Sequence, residues 1–528
     1  MKRLRIIASM LLSLVVLTVQ AQRHGCVIST THSVIPSVAE GSHEVSPCAS
    51  LSRDDKVRDR VDKGATRANR QVLPDPITFD PQKTYRLPVV LIAFSDADFT
   101  MPDPQSYYHR MLNEKGYNEG VGAGCLADYF RDQSSGRLNF QFDVYGPFKV
   151  TQTAGGHGSS YYGVDVMRDA VKLLCDTEKT DFSIYDWNGD GEVNEVFFVS
   201  ASYQGNLKNG YIWPNSQDEH LLLPGGIYAA FCSIASELWK DGSQNGFGTI
   251  AHEVCHALGL PDVYPLGAAT SFSAVDEWDL LDGGNNTNRG WCPPNLMAME
   301  KMYLGWDQPE ELTQATSITD MKSVSAGGKS YLIRNSGQSD EYYLLENRQQ
   351  EGWDYGCPGN GLLIVHVDYL QSSWGNNEVN ISDTHYRYDL FHADGKDYMV
   401  WDPKNDGKDP DKYTVPDCLR CKFLSTSAYP FGENQSLTNT SSPAAVLFSP
   451  NADGELLMSK AITNIRLASD GTVSFDFMTD PTAIRRVLTD EGHTAVWYDL
   501  HGRLLPGEPQ TPGLYINSGK LILRQTHR

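Results

Sequence analysis

Apolar and polar positions divide the chain into two kinds of territory. Leu87-Pro88-Val89-Val90-Leu91-Ile92-Ala93-Phe94 is a continuous apolar run of strand length. It predicts a strand buried on both faces, with Pro88 at its start. Val196-Phe197-Phe198-Val199 predicts another. Asn139 to Tyr145 alternates, with Phe140, Phe142 and Val144 on one side, as a half-buried strand does. Helical spacing appears at Tyr107 to Asn113, Cys125 to Gln133, Met167 to Cys175, Thr249 to Leu258 and Pro294 to Leu304. After about Gly305 the helical spacing gives way to short strand-like runs separated by turn residues. These are Ser330 to Ile333, Tyr342 to Leu345, Leu362 to Val367 and Val473 to Phe477. The pattern predicts a mixed α/β (α+β) first half and a β-rich, sandwich-like second half. Further short strands are expected around Ala495 to Tyr498, Leu514 to Ile516 and Lys520 to Leu523, beyond a Pro-containing junction near Pro481.

At 528 residues the chain is too long for one ordinary core, so two or three domains are expected. Its formal net charge of -22 argues against nucleic-acid and anionic-membrane partners, both of which require a basic face. The N-terminus adds a destination. Lys2, Arg3 and Arg5 precede an apolar run from Ile6 to Val19, and Val19-Gln20-Ala21 offers a cleavage site. The run is too short for a membrane span, so residues 1–21 read as a secretory signal peptide, and no later run reaches spanning length. Residues 22–80 lack sustained periodicity and include the mixed-charge run Arg53 to Arg60, which suits a pro-segment or a flexible linker equally. Ten cysteines in so long a chain are not a disulfide scaffold, and the Cys418/Cys421 pair has no second pair to complete a four-cysteine zinc site.

The chemistry concentrates in one stretch, Gly248-Thr249-Ile250-Ala251-His252-Glu253-Val254-Cys255-His256-Ala257-Leu258-Gly259-Leu260-Pro261-Asp262. Residues four apart on a helix share a face, so His252 and His256 can direct two imidazole nitrogens at one metal ion. Glu253 projects beside them, placed to take a proton from water activated there. Ile250, Val254 and Leu258 recur on another face and anchor the helix, and Cys255 reads as a small core residue. Gly259 can adopt the left-handed conformation that ends a helix. The chain can then double back and return the Asp262 carboxylate to the same ion. Two imidazoles, one carboxylate and one open position make a catalytic rather than a structural zinc site.

This stretch, continued through Val263-Tyr264, resembles the immune inhibitor A family of secreted bacterial metallopeptidases, of the metzincin clan. The resemblance extends over about residues 80 to 478. It includes Leu87 to Phe94, Asp128-Tyr129-Phe130-Arg131, Phe142 to Pro147, Tyr211-Ile212-Trp213-Pro214 (its edge strand), Trp278 to Gly284, Glu300 to Trp306, Leu344 to Arg348 and Gly361 to Tyr369. It implies zinc ligands at His252, His256 and Asp262, a general base at Glu253, and an extracellular endopeptidase acting on proteins or peptides. It also implies a metzincin-like peptidase domain over 81–310 and a β-rich module over 311–478. The position beneath the metal where metzincins carry methionine matches Leu281 here, a swap that roughly keeps volume and apolarity. Residues 479–528, notably Trp497 to Arg503 and Pro512 to Lys520, resemble the C-terminal sorting segments of Bacteroidetes proteins exported by type IX secretion, which implies a secretion machinery as partner. A further β-hairpin of the preceding module is the plainer reading of that tail.

A second cation is expected at Asp186-Trp187-Asn188-Gly189-Asp190-Gly191-Glu192-Val193-Asn194-Glu195. Oxygen side chains alternate and a glycine follows, as in the first half of an EF-hand loop. Calcium would be held by Asp186, Asn188, Asp190 and Glu195 with the Glu192 carbonyl; the competing reading is an Asx-rich turn. His366, His385 and His392 lack ligand-like spacing and read as packing or surface residues. Cys26 or Cys48 could cap the zinc from a pro-segment, although nothing in the sequence positions either. Two other functions fit the same composition. One is a catalytically silent peptidase-fold binding protein, against which the intact Glu253 argues. The other is a surface adhesin whose β-rich half does the work, in which case host binding would survive Glu253→Ala.

Overall fold

The structure, a computed structural model, describes residues 72–524 apart from 121, 158–161, 180, 206–209, 240, 267–273, 383, 397–423, 480–495 and 518. The signal-peptide stretch, the acidic and basic run at 53–60, and Cys26, Cys48, Cys418 and Cys421 lie outside the described residues. Within them the chain is a mixed α/β protein with several sheets and few helices.

The first sheet contains β1 (Tyr85–Ala93), β2 (Phe140–Lys149), β3 (Val193–Tyr203), β4 (Asn215–Gln217) and β5 (Ala229–Leu238), in the order β2-β1-β3-β5-β4. β1, β2, β3 and β5 run parallel, and β4 is an antiparallel edge. Parallel strands are joined by crossovers that cover both faces, and the side chains obey that logic. Leu87, Val89 and Leu91 of β1 point into one apolar core with Phe197 and Val199 of β3. Val90 and Ile92 point into the other with Val196 and Phe198. Helix α1 (Pro104–Asn113), α2 (Leu126–Gln133) and α4 (Gly248–Ala257) supply the first core, and α3 (Val164–Thr177) supplies the second.

Local differences from expectation have local causes. β2 runs on to Lys149 with a register shift against β1 between Val90 and Ile92. Gly146 permits it: its φ is +91°, and a Cβ there would lie 2.8 Å from the Leu91 carbonyl oxygen. The antiparallel edge is Asn215–Gln217, just after the Tyr211 to Pro214 stretch expected to form it. The helix expected from Pro294 is only α5 (Ala298–Tyr303). Before it, the N–H of Asn295 bonds Asp354 Oδ1 (2.9 Å) and that of Leu296 bonds Gln133 Oε1 (2.9 Å). Residues 72–80, expected to close a pro-segment or linker, pack with the body: Leu73 and Phe79 are buried, and the Leu73 N–H bonds the Gly375 carbonyl at 2.9 Å.

Past residue 310 come β6 (Glu310–Glu311), β7 (Thr316–Met321), β8 (Tyr331–Arg334), β9 (Glu341–Arg348), β10 (Gly361–Asp368), the short helix α6 (Gln371–Gly375) and β11 (Tyr388–Leu390). They are followed by β12 (Ile462–Leu467) and β13 (Val473–Phe477). One sheet has the order β11-β10-β9-β8-β6 and another β12-β13-β7. Tyr343, Leu345, Leu362 and Ile364 face the smaller sheet across a shared core, as a sandwich requires. The alternate residues Tyr342, Leu344, Leu363, Val365 and Val367 instead complete the core that holds α4. Apolar packing is therefore continuous across residue 310. The tail forms a three-stranded sheet of β14 (Trp497–Tyr498), β15 (Gly513–Asn517) and β16 (Lys520–Arg524), with Tyr498 and Ile516 buried in the sandwich core.

Candidate metal centre

Every residue of α4 is buried, which a helix built of Ile, Ala, Val and Cys around two histidines and one glutamate can be only if its polar groups find partners. It begins at Gly248, where a Cβ would lie 2.2 Å from the Asn285 carbonyl oxygen. It ends in a Schellman motif: Leu260 N–H bonds the Cys255 carbonyl and Gly259 N–H the His256 carbonyl, both at 3.0 Å. Gly259 has φ +97°, and its missing side chain admits the Pro74 carbonyl oxygen, 2.5 Å from where Cβ would be. The reversal brings Asp262 back over the helix.

There the three expected ligands meet. Asp262 Oδ1 lies 3.2 Å from His252 Nε2 and 3.4 Å from His256 Nε2, and all three side chains are buried. Each imidazole is oriented from behind. His252 Nδ1 bonds the Leu280 carbonyl at 2.7 Å, and His256 Nδ1 bonds the Leu260 carbonyl at 2.8 Å. A carbonyl can only accept, so Nδ1 carries the proton and the Nε2 lone pair faces the centre. Glu253 stands beside them, with Oε2 3.9 Å from His256 Nε2. His256 Nε2, Asp262 Oδ1 and Glu253 Oε2 are buried without hydrogen-bond partners. Such atoms are costly unless a cation or water satisfies them, and two imidazole nitrogens with one carboxylate oxygen suit zinc. Among the described residues this is the one group of three His, Cys, Asp or Glu with ligand atoms close enough to share an ion.

Charge within the group follows its burial. Desolvation pushes Glu253 up to about 8, with Asp262 adding to the rise and His252 opposing it. Burial would raise Asp262 too, but His256 and His252 outweigh it and hold the carboxyl well below its usual range. Burial opposes the charged imidazole of His252 and of His256, and Asp262 lifts both above the ordinary value.

Leu281 is fully buried beside the site. Its carbonyl accepts from Val263 N–H (3.0 Å), and its own N–H bonds Asp279 Oδ1 (2.7 Å), so the turn that carries the Leu280 carbonyl is held from both sides. Two residues here carried no signal in the sequence. Asn377, just after α6, accepts from the Asp262 N–H (2.6 Å) and donates to Asp262 Oδ2 (2.8 Å). Asn380 donates to the carbonyls of Val263 (2.6 Å) and Tyr388 (2.7 Å).

Of the expected calcium ligands, Asp186, Asn188 and Asp190 share one hydrogen-bonded loop, whereas the Glu195 carboxylate is directed away from it into the sheet. Asn188 accepts from the Asp190 N–H (3.2 Å) and Asp190 from that of Glu192 (2.9 Å), which is the Asx-turn pattern, while Asp186 accepts from the N–H groups of Gly189 (2.6 Å) and Gly191 (2.9 Å) across the loop. Asn188 donates to Asp190 Oδ2 at 2.9 Å. The Glu192 carboxylate faces His220 at 3.7 Å. Glu195 belongs to another environment altogether. It is fully buried in β3, accepts from the Ser233 N–H at 3.0 Å, and is pushed well above its usual pKa by burial, with the charge of Glu253 adding to that. The strand begins at Val193, two residues before it, and that draws Glu195 into the sheet and away from the loop. His366 pairs with Glu341 and His385 with Asp368, each at 2.8 Å, and His392 is buried, all in the β-rich half.

Three buried side chains whose ligand atoms could share one ion, two of them backed by carbonyls, form a candidate metal centre, and comparison with known proteins shows a metalloprotease relationship. Over 243 residues the chain is 24% identical to proteins described as "Pre-pro-metalloprotease PrtV" from two strains of Vibrio cholerae serotype O1. The match takes in 38% of this chain and 26% of theirs, so the chain spans about a quarter of the length of those relatives. No protein-family model matches it. Among the described residues, no helix is long and apolar enough to cross a membrane.

Proposed function

We propose that this chain is an extracellular zinc-dependent endopeptidase that hydrolyses peptide bonds of proteins, with His252, His256 and Asp262 as ligands and Glu253 as general base. The observation that carries the reading is the convergence of two carbonyl-oriented Nε2 atoms and Asp262 Oδ1, with the otherwise unpartnered Glu253 Oε2 beside them. The relationship to a metalloprotease supports it, as does the likeness of the motif and its surroundings to the immune inhibitor A family. When bound, zinc supplies Lewis acidity, polarising a peptide carbonyl and making water a better nucleophile near neutral pH.

The protein's own residues do the rest. The carbonyls of Leu280 and Leu260 fix which nitrogen each histidine offers. Glu253 takes the proton of the attacking water and returns it to the leaving amine, since its carboxylate has no other hydrogen-bonding duty at Oε2. Burial of the whole group excludes competing water from the ligands. The signal-peptide-like start supports export, and the tail's likeness to a sorting segment supports passage through a dedicated secretion machinery.

Metal removal tests the reading. Casein cleavage by the chain beginning at about Gln22 should stop after dialysis against a chelator and return with about one equivalent of zinc per chain. Cleavage that persists in chelator with no zinc in the sample would exclude the proposal. If neither preparation cleaves, the chain should be started at residue 72, which retains the packed segment through Phe79.

A further inference from the structure

The third ligand is held from the β-rich half of the chain. Asp262 offers one carboxylate oxygen, Oδ1, to both histidines; the other, Oδ2, is occupied by the Asn377 amide at 2.8 Å. The same Asn377 side chain accepts from the Asp262 backbone N–H at 2.6 Å. One carboxamide thus bonds both the main chain and the side chain of the same residue. Three residues on, Asn380 repeats the device on the next residues of the ligand turn. Its Nδ2 donates to the Val263 carbonyl at 2.6 Å, and its own carbonyl accepts from the Leu266 N–H at 3.0 Å. Asn380 is itself anchored in the β-rich sheet, accepting from the Tyr388 N–H at 3.1 Å and donating to the Tyr388 carbonyl at 2.7 Å.

Both asparagines are buried, at 8% and 0% exposure, so their bonds have no water to compete with. Asn377 sits at φ +53°, a left-handed conformation that asparagine tolerates better than most residues. Its N–H bonds the Trp374 carbonyl at the end of α6 (3.2 Å), and Trp374 is buried in the shared core. The neighbouring Gly375 carbonyl holds Leu73, whose successor Pro74 passes Gly259 on the other flank of the ligand turn. The turn from Gly259 to Leu266 is therefore gripped from outside the peptidase-like half.

We infer that Asn377 and Asn380 are positioning residues for the metal centre, clamping Asp262 as a ligand through Oδ1 alone, and that the β-rich half is in this sense a structural part of the site. The inference rests on the proposed metal reading of Asp262. A carboxylate limited to one oxygen leaves a coordination place open, whereas one free to turn can chelate through both oxygens and close it.

The test is zinc affinity of the full chain, measured by competition with a chromophoric chelator at neutral pH. Asn377→Gly removes the carboxamide and costs no backbone strain at φ +53°. It is expected to weaken zinc binding roughly 10- to 100-fold, the usual effect of losing a partner behind a ligand. In an Asp262→Ala background the same change is expected to have no further effect, because the group it positions is gone. Asn380→Ala, which leaves Asn377 in place, should show a smaller loss with the same dependence on Asp262. An unchanged affinity for Asn377→Gly, or an equal loss with and without Asp262, would overturn the clamp. As a second readout, cobalt substituted for zinc should show weaker visible absorption in Asn377→Gly than in the native chain, as the coordination number rises; an identical spectrum would also overturn it. If Asp262→Ala alone leaves zinc affinity intact, the metal reading itself falls, and the two failures are distinguishable.

Discussion

Glu195 and Leu281 show how differently two residues near the same centre are constrained. Glu195 is a carboxylate inside a sheet, with one oxygen bonded to Ser233 N–H and the other unpartnered. Burial raises its pKa in the folded chain, so the fold favours its protonated form. The stability it contributes is complete below the ordinary glutamate range and is lost as pH rises from there toward the raised value. Glu195→Gln keeps the shape without the ionisation. The variant is expected to gain stability relative to the native chain between pH 5 and pH 8, as read by urea denaturation; a gap that does not widen with pH would contradict this. Leu281 carries no charge to shift. Leu281→Met conserves volume and should change stability by under about 1.5 kcal/mol in the same assay. The four residues of the proposed centre were legible because the helix period and one glycine dictate where they go. Asn377 was not, because its role depends on a fold that brings residues 115 positions apart into contact. Glu195 was misplaced for a related reason: alternating oxygens read as a loop as long as the start of the strand is unknown.

Among the elements, α4, the helix of the proposed zinc centre, depends most on its ending. The Schellman turn needs Gly259 at φ +97°, and the passing Pro74 carbonyl leaves no room for a side chain. Gly259→Ala therefore combines backbone strain with a clash and is expected to destabilise the protein by about 1–3 kcal/mol. A smaller shift in urea midpoint would mean that residues 72–76 can move aside. Strands were legible in proportion to their apolar continuity. β1 and β10 announce themselves, whereas β5 does not, since Ser233, Ser236 and Glu237 interrupt Ala229–Leu238. Those polar residues are buried all the same. Glu237 Oε1, for example, accepts from Thr100 N–H at 2.7 Å, a partner 137 residues away that no local pattern discloses.

At the scale of the whole molecule, the shift in pattern near residue 305 marks a change of architecture but no break in packing. The sheet containing β9 and β10 has an apolar wall toward α4 and another toward the β-sandwich partner. Arg348 of β9 reinforces the join: it is fully buried, bonds Asp354 Oδ2 at 2.8 Å, and reaches the Asn295 carbonyl at 3.2 Å. Arg348→Ala would leave Asp354 buried and uncompensated, and is expected to cost about 3–5 kcal/mol in urea denaturation. A chain ending near residue 310 should lack a cooperative thermal transition, because one wall of its core is missing. The proposed chemistry stands or falls with Glu253→Ala beside the native chain, with zinc content and casein hydrolysis measured on both. The expected result is equal zinc and a rate at least about 100-fold lower in the variant, the contribution of a positioned general base. Equal hydrolysis by both would contradict the assignment of Glu253 and, with it, the proposed peptidase centre.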